Sequence, residues 1–162
     1  MKKQFYLFSA NWYNRSYICI STLALLLGGI IYILFRVSEP LFFQWIRAAG
    51  SDKWFDIARQ NLLPLGQHLP EWIVFSLPNG LWAFAYALLI TGIWSGSKSW
   101  LRYCWIASIP LLVLGYEVLQ FPGIIPGTFS IQDIALGITG LTSGIFVGIK
   151  TTKSNHHEKI SE

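Results

Sequence analysis

The chain has 162 residues and a net charge of +4, with 53% apolar, 16% aromatic and only 12% charged residues. Soluble domains carry roughly 25% Asp, Glu, Lys and Arg, and here the apolar residues are gathered into long runs, so lipid is the solvent for much of the surface. The basic residues sit beside those runs, where they meet lipid headgroups and set orientation, and this argues against nucleic acid as a partner.

The first apolar run, Ser16 to Phe35, is bracketed by Arg15 and Arg36. Its core from Ile18 to Leu34 carries no charge and is close to the roughly 20 residues needed to cross the hydrocarbon. It is too long for a usual signal-peptide core, and Phe35-Arg36-Val37 offers no small-residue cleavage site, so a retained signal anchor is expected. Cys19 here and Cys104 further on lie inside apolar segments, without CxxC spacing or a nearby His, and read as small buried apolar residues.

The segment from Val37 to Ser76 is a loop with helical pieces. Leu41 to Ile46 and Trp54 to Ala58 read as short amphipathic helices separated by Gly50. They either lie in the membrane interface with their aromatic residues buried, or cap the bundle as packed helices. His68 stands alone and reads as a solvated or packed residue.

A second span is predicted over Leu77 to Trp94, a third over Trp100 to Phe121 and a fourth over Ile131 to Ile149. Trp82, Trp94, Trp100 and Trp105 supply aromatic material suited to the interface. The Ser95–Ser99 connection is short enough only for a tight turn between antiparallel helices. Pro110 is expected to kink the third span or loosen its hydrogen bonding. Pro122-Gly123 and Pro126-Gly127 make a constrained turn that brings the ends of spans three and four together. In the fourth span Gly140, Gly144 and Gly148 recur every four residues, a smooth ridge suited to packing inside the bundle rather than between copies. The polar stretch after Lys150, including His156 and His157, reads as a disordered tail, and its paired histidines are a weak metal motif.

The expected fold is therefore all-α, a single four-span membrane domain. With both termini in the cytoplasm, the inner segments hold Lys2, Lys3, Arg15, Lys98, Arg102, Lys150, Lys153 and Lys159. The outer side then holds Arg36, Arg47, Lys53 and Arg59, all in the long first loop. The positive-inside bias favours this orientation.

Under that topology four polar residues share one depth on the outer face. Glu117 and Gln120, three apart, lie on one face of the third span, and Asn79 begins the second. Glu117 lies four residues before Phe121, roughly 6 Å from the span's end at a rise of about 1.5 Å per residue. Asp133 lies in the first turn of the fourth span. Ser130-Ile131-Gln132-Asp133 resembles a capping box, and the negative charge also complements the helix dipole, so Asp133 is readable as a cap, as a site residue, or as both. A carboxylate in the membrane costs about 2.5–3.5 kcal/mol at mid-depth on insertion scales, which favours a used or partnered group. No Ser/His/Asp arrangement, HExxH or phosphate-cradling glycine loop is present in the sequence, so no catalytic constellation is recognised, and neither a metal nor another cofactor is predicted.

Gly115-Tyr116-Glu117-Val118-Leu119-Gln120, then Pro126 to Asp133, then Gly137 and Gly140, resembles the VanZ-like family. In that family a helix ending in Glu-x-x-Gln leads through a short loop to an Asp at the head of a glycine-containing last helix. The likeness runs from about Trp82 to Gly148. It implies a small multi-span protein of the bacterial plasma membrane, in a family with one member associated with resistance to the glycopeptide teicoplanin. It also makes Glu117, Gln120 and Asp133 the signature positions. The sequence departs from the family where an Arg often precedes the Asp, here Thr128 or Phe129, and where an Asn stands in the last helix, here Gly137. Arg36 is the candidate substitute cation.

Three functions are then in view. The first is a cell-envelope protein recognising the headgroup of a membrane lipid or lipid-linked cell-wall precursor through Glu117, Gln120, Asp133, Asn79 and Arg36. The second is an assembly subunit without chemistry, whose polar residues hold helices together. The third is a small transporter or membrane enzyme using Glu117 as a proton acceptor.

Overall fold

The computed structural model of the chain describes residues 16–35, 57, 60–62, 64–66, 68–125 and 129–158. All regular structure among them is helical: α1 (Ser16–Phe35), the short α2 (Glu71–Phe75), α3 (Leu77–Trp94), α4 (Leu101–Gln120) and α5 (Ile131–Glu158). Among the described residues four stretches are long and apolar enough to cross a membrane, namely α1, α3, α4 and Ile131–Thr151 of α5. The protein is an all-α membrane bundle. Arg36 and the two amphipathic segments predicted at Leu41 to Ile46 and Trp54 to Ala58 lie outside the described residues, apart from the helical Ile57.

The central helix is α3, the most buried of the four. It packs most extensively on α5, then on α1, and more lightly on α4. Small residues permit the tight contacts. A Cβ added at Gly140 would collide with the Gly80 carbonyl, and one at Gly144 would lie 2.5 Å from the Phe84 carbonyl oxygen and 2.9 Å from Ala87 Cβ. The glycine ridge of α5 therefore does lie inside the bundle, where backbone contact replaces the apolar driving force that lipid cancels. On the other flank of α3, Tyr17 of α1 packs over Gly92, and Trp82 packs over Gly28 while its indole N–H donates to the Leu25 carbonyl at 3.3 Å. Ala87, Ile90 and Ile109 form the buried centre, bordered by Tyr86, Trp94, Val113, Leu141 and Ile145.

The helix ends follow from local chemistry. Pro78 opens α3, where its missing N–H leaves no helical bond unmade. Gly96, at φ 80°, makes the α3–α4 turn. At the end of α4, Gly123 has φ 75°, its N–H donates to the Gln120 carbonyl at 2.9 Å, and the Ile124 N–H donates to the Leu119 carbonyl at 3.1 Å. That pair of bonds with a left-handed glycine is a Schellman motif, so the first Pro-Gly pair acts as a helix stop.

Pro110 lies inside α4, and Ser108 Oγ beside it donates to the Trp105 carbonyl at 2.6 Å. Two expectations are corrected. Cys19 and Cys104 are exposed on the bundle surface rather than buried, since a small apolar side chain loses nothing by facing lipid. Finally, α5 continues through Lys150 to Glu158 where a disordered tail is predicted. Extending a formed helix costs far less than starting one, and neither Gly nor Pro interrupts residues 150–158. Within the span, the hydroxyls of Thr139, Thr142 and Ser143 bond back to carbonyls one turn earlier, which lets these polar residues face lipid.

Candidate functional site

Capping chemistry at the head of α5 builds the site. Ser130 Oγ accepts the Asp133 N–H at 3.4 Å, as the capping-box reading predicts. The return half of the box is different. The Ser130 N–H donates to Glu117 Oε2 at 3.4 Å, across the turn, and not to Asp133. Glu117 thus does the job expected of Asp133, and the Asp133 carboxyl is released from capping.

The released carboxyl turns toward Glu117, and the two groups adjoin. Asp133 Oδ1 is buried without a hydrogen-bond partner among the described residues. Glu117 is itself only 7% exposed. Two ionised carboxylates in contact repel, so the pair favours a neighbour that brings positive charge or a donated hydrogen.

Both residues line a cavity of about 850 Å³ at the end of the bundle that carries the α4–α5 turn. Gln120 and Asn79 line the same cavity, so the structure brings together four of the five residues singled out from sequence, Arg36 falling outside the described residues. Gly137, where the resembled family carries Asn, also lines it and adds no side chain.

The wall also holds residues the sequence reading missed. Glu71, at the start of α2, is a third carboxyl, and Gln132 and Ser130 add polar atoms. Tyr32, Phe75, Trp82, Tyr86 and Tyr116 make the wall strongly aromatic. The Tyr32 and Trp82 rings meet at a corner, with centroids 5.4 Å apart and planes at 47°. Deeper in, Tyr86 Oη shares a 2.7 Å hydrogen bond with Ser108 Oγ, which ties α3 to α4 beneath the cavity. Pro70-Glu71 was the available sequence signal for α2, a proline followed by an acid at a helix start.

Among the described residues no three His, Cys, Asp or Glu side chains come together as metal ligands. Glu71, Glu117 and Asp133 share a cavity without forming such a group. The arrangement can bind and orient a small polar group at the membrane edge. Comparison of the chain with protein-family models, with curated proteins and with solved structures finds no match.

Proposed function

We propose that this chain is a headgroup-recognition protein of the bacterial cell envelope, holding the polar end of a membrane lipid or lipid-linked cell-wall precursor in the cavity between its helices. The carrying observation is the cavity of about 850 Å³, lined at one end of a lipid-spanning bundle by Glu71, Asn79, Glu117, Gln120, Gln132 and Asp133. Polar groups gathered at such a depth are costly unless they are used, and here Asp133 Oδ1 lacks a hydrogen-bond partner among the described residues. The positive-inside count supports an outward-facing cavity in the plasma membrane, with the ends of the chain in the cytoplasm. The likeness of the Glu117, Gln120 and Asp133 pattern to the VanZ-like family supports an envelope role.

A second reading, an assembly subunit without a ligand, has one observation in its favour: the Glu117–Ser130 bond holds the α4–α5 turn together. Asp133→Asn separates the two, because the Asp133 side chain lies beside Glu117 but takes no part in the Ser130–Glu117 bond, and Asn keeps its size and an acceptor oxygen. Binding of membrane lipid to the reconstituted protein is expected to fall in Asp133→Asn with folding unchanged. Undiminished binding in this variant and in Glu117→Gln, both correctly inserted, refutes headgroup recognition.

A further inference from the structure

The cavity wall specifies a class of headgroup, an inference that rests on the reading above. Three of the described lining residues are carboxylic acids, and none is Lys, Arg or His. A phosphate placed there would meet Glu117 and Asp133 with no described cation beside it, and like charges this close repel. An ammonium group meets the opposite situation. The adjoining carboxyls of Glu117 and Asp133 attract it, and Asp133 Oδ1 offers an acceptor with no other partner among the described residues.

The aromatic wall supports the same choice. The faces of Trp and Tyr rings attract cations, most strongly away from water, and rings set at an angle surround a quaternary or primary ammonium better than a single ring does. Tyr32 and Trp82 supply such a corner within the cavity.

The route in is set by helix packing. Tyr32 of α1 and Leu112 and Tyr116 of α4 line the cavity, yet among the described residues α1 and α4 have at most slight contact with one another; α1 packs chiefly on α3, and α4 on α3 and α5. Leu112 and Tyr116 are 61% and 56% exposed. Among the described residues the cavity therefore opens outward between α1 and α4, beside Leu112, on a face of the bundle that meets lipid.

We infer that the cavity takes the ammonium headgroup of a membrane amphiphile that enters sideways between α1 and α4, its chain remaining in the bilayer. The test uses the full chain in neutral maltoside micelles, with binding read by native mass spectrometry and calorimetry. Tetradecyltrimethylammonium is expected to bind about tenfold more tightly than tetradecyl phosphate, the size of preference that cation–π and charge contacts support. Replacing two carboxyls, Asp133→Asn with Glu71→Gln, should bring the two affinities close together. Both positions are free of the capping bond that makes Glu117 a riskier substitution. Equal or reversed preference in the native chain overturns the inference, as does a preference the double variant retains. Tetramethylammonium binding as tightly as the amphiphile overturns lateral entry. Binding of the phosphate amphiphile alone leaves headgroup recognition standing and removes only the ammonium assignment, whereas failure of both amphiphiles to bind counts against headgroup recognition itself.

Discussion

Substituting Gly144 by Ala tests whether the α3–α5 contact sets the geometry of the bundle. The added methyl would sit 2.5 Å from the Phe84 carbonyl oxygen and 2.9 Å from Ala87 Cβ, where ordinary contact begins at 3.4 Å. The first obstacle is backbone, which cannot rotate aside, so the helices must part by roughly 1 Å and give up dispersion contacts along their shared length. Overpacking of this kind costs about 1–3 kcal/mol, which for a chain of this size lowers Tm by roughly 2–12 °C. Gly29→Ala in α1 is the matched control, because a methyl there meets nothing within 4 Å. Relieved of glycine's backbone entropy, that variant should gain up to about 1 kcal/mol. Thermal unfolding in micelles, followed by intrinsic fluorescence, compares the two directly. If both variants shift Tm in the same direction by similar amounts, backbone contact along the ridge does not hold α5 in place.

Other outcomes are expected from the site and its supports. Ser130→Ala removes the acceptor for the Asp133 N–H and should cost about 1 kcal/mol of stability in the same unfolding assay. Glu117→Leu leaves the Ser130 N–H without its carboxylate partner and should destabilise by about 1–3 kcal/mol, while Glu117→Gln, which keeps an acceptor oxygen, should cost less. Tyr86→Phe removes the hydrogen bond to Ser108 and should lower stability by about 0.5–1.5 kcal/mol, with the helices still inserted. For orientation, Ile124→Cys in a chain with Cys19→Ser and Cys104→Ser should react with a membrane-impermeant thiol reagent added outside intact cells. Labelling only after the membrane is opened would reverse the proposed topology.

The spans were legible because their signal is local. The stretch from Ser16 to Phe35 is free of Asp, Glu, Lys and Arg, and Leu77 to Trp94 ends at the Ser-Gly turn, so both helices have the predicted bounds. The glycine ridge was legible for the same reason, since a four-residue spacing fixes a helix face whatever it packs against. Convergence of Asn79, Glu117, Gln120 and Asp133 was also readable, since a four-span topology puts their helix ends at one level. The aromatic wall was not. Whether Tyr32, Trp82 and Tyr116 turn toward one cavity depends on how each helix rotates about its axis in the bundle, and apolar residues on all sides leave that rotation unmarked. The exchange of partners at Ser130 was hidden too. A capping box read from four consecutive residues contains no information about a carboxylate thirteen residues upstream.

That exchange ties the cavity to the turn beneath it. Glu117 Oε2 receives the Ser130 amide hydrogen and also belongs to the wall that a guest would touch. A guest that draws this oxygen toward itself weakens the start of α5, and one that leaves it in place finds the start already firm. Occupancy and the order of the fourth span's first turn are then linked quantities, each altering the other by the same free energy.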